Sequence, residues 1–172
     1  MLKDRKVLVV EDDKTEIERV EKLLTELQVK FSVRQTIKEA ERSLQEERFD
    51  FLLSDLHIET KAGFERPDGL SVIAFAREQQ PGIVIVANSS DPRADIWSEA
   101  LAAGAEHFIR KPILRADELV IAFGLASERR NLVATTARKK LPDGEWTRFA
   151  EEYPESLVID KTILSKARGL AR

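Results

Sequence analysis

Short runs of consecutive apolar residues alternate along this chain with stretches whose apolar residues recur every three or four positions. Lys6–Val10 (KVLVV) is a continuous run, the pattern of a strand buried on both faces. Ile17, Val20, Leu23, Leu24 and Leu27 follow at helical spacing, predicting an amphipathic helix over Lys14–Leu27. Asp13 or Thr15 can cap it, each having a Glu three residues on. Phe31–Gln35 alternates like a strand, and Ile37, Ala40 and Leu44 mark a second helix. Phe51–Ser54 is a third strand. Asp68-Gly69 leads into a helix carrying Leu70, Ile73 and Ala74, and Ile83–Ala87 (IVIVA) is the clearest strand of all. Asp91-Pro92 predicts a cap and a first-turn proline, with the helix running to Ala103 and stopping at Gly104. Phe108-Ile109 sits in a short fifth strand, and a fifth helix starts at Asp117 and reaches Asn131 or beyond.

Five β/α units fill about 125 residues, which is a parallel sheet covered by helices on both faces. In such sheets the functional residues lie where the strands end. Glu11, Asp12 and Asp13 follow the first strand and Asp55 ends the third. Asn88, Ser89 and Ser90 follow the fourth, and Lys111-Pro112 the fifth. Carboxylates brought together from neighbouring strands repel one another and lose solvation. A hard divalent cation relieves this, and oxygen ligands with retained waters suit Mg²⁺. A lysine and a hydroxyl beside such an ion are equipment for holding a phosphoryl group. Each residue alone has a plainer reading: Asp13 as a helix cap, Ser-Ser-Asp-Pro as a helix start, Lys-Pro as a turn. Their conjunction in this order on successive strands is far more specific.

The stretches VLVVEDD (residues 7–13), FLLSDL (51–56), IVIVANS (83–89) and AAGAEHFIRKP (102–112) resemble the receiver domain of bacterial response regulators. The resemblance covers roughly residues 4–127. It implies a flavodoxin-like, doubly wound five-stranded parallel sheet of order 2-1-3-4-5, which makes 1–127 a receiver; the tail's own pattern adds a mostly helical extension over 128–172. It further implies that Asp55 is the phosphoacceptor for a histidine kinase or histidine phosphotransfer protein. Glu11 and Asp12 match the acidic pair, Asp12 binding Mg²⁺ directly and Glu11 through water; Asp55 and the backbone carbonyl of His57 complete the protein's ligands. Ser89 and Lys111 would hold phosphoryl oxygens, Pro112 would follow a cis peptide that aims the lysine inward, and Ser89 and Phe108 would form the switch. Such a protein is a phosphoacceptor that assists its own phosphorylation and dephosphorylation rather than an enzyme acting on other substrates. His57 and Asp91 occupy the positions that tune hydrolysis in this family. Output would pass to a downstream protein through the face of the fourth helix, fifth strand and fifth helix.

Two departures stand out. Glu59 replaces a usual proline, and Asp68-Gly69 comes about six residues late, so His57–Asp68 carries an insertion with Phe64 as a candidate anchor. It is either a tolerated surface loop or a lid or partner-docking element beside the site. The 47 residues from Ala126 onward are too few for a usual output domain. They read as a continuation of the fifth helix through Leu132, Val133 and Ala137, a turn at Leu141–Gly144, a short helix over Glu145–Glu152, a small strand at Leu157–Ile159 and a basic helix over Ile163–Arg172. Trp146, Phe149 and Tyr153 would form an aromatic patch suited to packing against the receiver itself, a second copy or a partner.

Composition narrows the alternatives. The 172 residues contain no Cys, which excludes disulfides and thiolate chemistry. No apolar run approaches the ~20 residues that span a bilayer, and Val7–Val10 is too short for an export signal, which needs about 7–15. A cytoplasmic protein without membrane association is therefore expected. The net charge is −3, but 18 Lys and Arg stand against 24 Asp and Glu up to Leu125, and 10 against 7 thereafter. So small a basic excess, with no helix–turn–helix pattern, makes DNA an unfavoured partner. A haloacid-dehalogenase-type phosphatase needs Asp where Glu11 stands, and a nucleotide binder needs a Gly-rich loop where the acids are. A degenerate, phosphorylation-independent receiver remains as the competing reading; such a chain normally lacks a pocket residue, and none is missing.

Overall fold

The computed structural model describes residues 2, 4–58, 69–91 and 93–140, without the side chains of 94 and 133–140. Five strands, β1 (Lys6–Val10), β2 (Lys30–Arg34), β3 (Phe51–Asp55), β4 (Val84–Ser89) and β5 (His107–Arg110), alternate with five helices. These are α1 (Lys14–Glu26), α2 (Ile37–Glu46), α3 (Gly69–Gln79), α4 (Ala94–Ala102) and α5 (Ala116–Lys140). The strands form one parallel sheet in the order β2-β1-β3-β4-β5. The expected fold and strand order are both present.

Successive side chains of a strand point to opposite faces, and each face has its own core. Leu8, Val10, Leu52, Ile85 and Ala87 pack with α2, α3 and α4 around Leu44, Ile73 and Ile96. Val7, Val9, Phe51, Leu53 and Val86 pack with α1 and α5 around Leu24, Leu119 and Phe123. Phe51 and Phe123 meet with ring centroids 4.7 Å apart at 49°. On α5, Leu119, Ala122, Phe123 and Ala126 are buried, the i, i+3, i+4, i+7 stripe of a helix on a sheet.

Local signals place the helix starts well, with one exception. Asp13 caps α1 by accepting from the Glu16 N–H at 2.9 Å, and Thr36 caps α2. The Asp91-Pro92 start for the fourth helix is corrected: α4 begins at Ala94 with Arg93 as its N-cap residue. Asp91 closes a local turn ahead of the helix, its carboxylate accepting from the backbone N–H and the guanidinium of Arg93 at 2.7–3.1 Å. Gly104, at φ 114°, ends the α4 region as expected.

The fifth helix exceeds its expected minimum. It passes Asn131 as one continuous element to Lys140, including Leu132, Val133 and Ala137. Its arginines tie it to the far end of the sheet. Arg130 donates to the carbonyl of Ile83 (2.8 Å) and to Glu106 (2.9 Å), and Arg129 donates to the carbonyl of Glu106 (3.0 Å). Arg77 on α3 also pairs with Glu106, whose other oxygen accepts from the Ile85 N–H at 2.7 Å. Burial raises the Glu106 pKa, opposed by Arg77, that N–H and Arg130. The insertion after Ile58, with Glu59 and Phe64, and the elements expected beyond Lys140, with Trp146, Phe149 and Tyr153, lie outside the described residues.

Candidate phosphoacceptor site

Because β1 and β3 are neighbours, their ends bring Glu11 and Asp12 beside Asp55. The three carboxylates have oxygens within 4.8 Å of one another. Glu11 is 1% exposed and Asp55 5%, so the negative charge is largely out of water. The cation that answers it is Lys111, just past β5. Its Nζ lies 2.6 Å from Glu11 Oε2 and 2.8 Å from Asp55 Oδ2. The Lys111 N–H bonds to the Ser89 carbonyl at 3.0 Å, and the Lys111–Pro112 peptide is cis, as expected.

Burial pushes the Glu11 pKa up to about 7; Lys111 opposes this and Asp55 adds to it. Burial works against the Lys111 ammonium, yet Asp55 and Glu11 outweigh it and raise its pKa. An oxygen-only cluster with surplus negative charge suits a hard cation such as Mg²⁺.

Of the predicted residues on β4 and β5, Ser89 is at the rim and Phe108 lies two residues before the end of its strand. Ser89 is fully buried at the end of β4, two strands from Glu11. Phe108 on β5 is partly buried, packed against the α2–α3–α4 core and touching Trp97 of α4 edge-on, with centroids 5.2 Å apart. The His57 N–H donates to Asp55 Oδ1 at 3.1 Å.

Three features were not foreseen. The first is the direct Lys111–Glu11 pair. The second is Trp97 against Phe108, which a lone aromatic on a helix does not signal. The third is the side chain of His57, whose Nδ1 is 3.1 Å from Ser89 Oγ and whose Nε2 is 3.5 Å from Asp91 Oδ2. The positions of His57 and Asp91, each two residues past a pocket residue, were the available clue.

Glycine at 69 has a steric cause. A Cβ there would fall 2.0 Å from the Asp55 carbonyl oxygen and 2.7 Å from the Leu56 Cα. The first residue of α3 therefore lies directly on the end of the strand that presents Asp55.

The family model for the response regulator receiver domain matches residues 7–123. The chain belongs to this family. As a receiver, it is a phosphoacceptor module of two-component signalling rather than an enzyme in the usual sense. Over 97% of its length it is 27% identical to the response regulator protein PilR of Pseudomonas aeruginosa. The receiver chain spans about a third (35%) of that relative's length.

Solved structures share its fold. A response regulator from Burkholderia pseudomallei, determined with a phosphorylated aspartic acid, calcium ion and citrate, is 23% identical, with TM-score 0.63 over 97% of this chain and 92% of that one. The receiver domain of a sensor histidine kinase from P. aeruginosa PAO1, with a magnesium ion in its active-site cleft, is 24% identical, with TM-score 0.61 over 72% of this chain and 98% of that one. Among the described residues, no helix of this receiver is long and apolar enough to cross a membrane.

Proposed function

We propose that Asp55 accepts a phosphoryl group from a phosphohistidine on a histidine kinase or phosphotransfer protein, and that this switches protein–protein contacts. The observation that carries the reading is the buried Glu11–Asp12–Asp55 cluster with Lys111 bridging two of its members. Asp12, Asp55 and the His57 carbonyl would hold Mg²⁺, with Glu11 acting through water. When bound, Mg²⁺ offsets negative charge on the transferring group. The Asp55 carboxylate is the nucleophile: one of its oxygens bonds to phosphorus as the bond from phosphorus to the donor imidazole nitrogen breaks. Lys111, already beside Asp55, neutralises a phosphoryl oxygen, and Ser89 donates to another. The protein's contribution is position and charge.

The acyl phosphate draws Ser89 inward, and Phe108 follows, parting from Trp97. The α4–β5–α5 face then changes and meets a downstream protein. On α5, Ile121 and Leu125 are exposed, and α4 and β5 meet through the Trp97–Phe108 pair, which supports use of these elements as a contact. Residues 1–127 act as the receiver in the cytoplasm, and 128–172 serve as an extension for a partner or a second copy.

The test is mass spectrometry after incubation with Mg²⁺ and a small phosphodonor. One phosphoryl group is gained by the wild type and none by Asp55→Asn. Uptake that survives Asp55→Asn refutes the site, and no uptake by the wild type makes the receiver phosphorylation-independent.

A further inference from the structure

The rim of the site contains a three-residue arrangement in which His57 and Asp91, whose side chains have no role in phosphoryl transfer, meet Ser89. Ser89 Oγ accepts from the Asp91 N–H at 3.1 Å and lies 3.1 Å from His57 Nδ1. The other imidazole nitrogen, Nε2, faces Asp91 Oδ2 at 3.5 Å. The Asp91 carboxylate is fixed in turn by Arg93, which holds its pKa down at about 2.

Counting protons gives the direction of the Ser89–His57 bond for a neutral ring. Asp91 is an ionised, acceptor-only carboxylate, so the ring nitrogen facing it is the one that carries hydrogen. In the neutral imidazole that leaves Nδ1 as an acceptor, and its partner, Ser89, must donate. A serine hydroxyl has one proton. That proton is committed to His57, while one oxygen lone pair is committed to the Asp91 N–H. A phosphoryl oxygen is also acceptor-only and asks Ser89 for the same proton.

We propose that His57 is a latch on Ser89, occupying the single hydroxyl proton that the phosphoryl group must capture, so that the two compete. The proposal rests on the phosphoryl-binding role given to Ser89 above. His57 is a positioning residue acting through Ser89. Asp91 and Arg93 act one step further out by fixing the tautomer. The His57 side chain is 44% exposed, so the ring can swing away without opening a cavity.

The test has two arms, both on the full chain. In the first, Mg²⁺-beryllofluoride is titrated calorimetrically. His57→Ala is expected to bind it about three- to tenfold more tightly than the wild type, the scale of one ordinary hydrogen bond. The same change in a Ser89→Ala background is expected to leave affinity unaltered. Equal effects in the two backgrounds, or weaker binding by His57→Ala, overturn the latch.

In the second arm, nitrogen-15 NMR of the metal-free protein reads the His57 tautomer. The expected result is hydrogen on Nε2, with an Nδ1 resonance that moves on Ser89→Ala. Hydrogen on Nδ1, or indifference to Ser89→Ala, overturns the latch whatever the first arm gives. Asp55→Asn separates the two ideas. If it binds beryllofluoride as well as the wild type does, the phosphoacceptor reading fails, while the tautomer still decides the latch.

Discussion

Lys111 Nζ stands 2.8 Å from Asp55 Oδ2, joining the residue after the last strand to the end of the third. Both side chains are buried, at 9% and 6% exposure, and Glu11 shares the same ammonium. Removing one partner of a buried pair leaves an uncompensated charge. Lys111→Met is expected to destabilise the metal-free protein by about 3 kcal/mol, with Mg²⁺ restoring more stability to the variant than to the wild type. Urea unfolding in EDTA and in Mg²⁺ measures both. Equal stability of variant and wild type in EDTA would count against the pair.

Glu11 makes stability depend on pH. Its folded pKa of about 7 lies above the ordinary 4.5, so between these values the folded state holds more protons than the unfolded state. Stability then falls as pH rises through that window, by as much as about 3 kcal/mol, and stays low above it. Unfolding midpoints in EDTA at pH 5 and pH 8 should separate for the wild type more than for Glu11→Gln. Parallel behaviour of the two proteins would remove Glu11 as the source.

A side chain at position 69 collides with backbone rather than with anything that can turn aside. Gly69→Ala is expected to cost about 3 kcal/mol and to weaken beryllofluoride binding, because relief comes only by shifting α3 or the Asp55 carbonyl. A variant with wild-type midpoint and affinity would show that α3 moves freely.

The α5 arginines predict where the chain can be cut. Ending it after Ser127 removes Arg129 and Arg130 and leaves Glu106 buried with Arg77 as its remaining cation, at an expected cost of about 2–4 kcal/mol. Ending it after Leu132 keeps both arginines and should match the full chain in a melt of this sheet. Equal melting of the two truncations would mean that the clamp adds nothing.

What could be read from the residues, and what could not, follows from range. Lys6–Val10 and the IVIVA run declare themselves because a strand buried on both faces needs consecutive apolar residues. Glu11, Asp12, Asp55, Ser89 and Lys111 were legible because parallel strands deliver their next residues to one rim. The start of α4 was not, because Asp91 and Arg93 close a local turn, through the guanidinium as well as the backbone N–H, that precedes the helix. The His57–Ser89–Asp91 bridge and the grip of Arg77, Arg129 and Arg130 on Glu106 depend on which rotamers meet between elements. No spacing along the chain encodes that.

The alternation of side chains across the sheet has a consequence for how a signal leaves it. Ile85 and Ala87 face the α2–α3–α4 layer, Ser89 continues their side of β4, and Phe108 packs into the same layer. Val84, Val86 and Ile109 face the α1–α5 layer. One half of the molecule is therefore placed to serve as an anvil: α1 and the buried stripe of α5 pack on the face of the sheet opposite Ser89 and Phe108. The motion proposed for Ser89 and Phe108 would begin in the layer that holds α4. A switch of that kind would change the outward face there while leaving the α1–α5 packing of β1 and β3 intact.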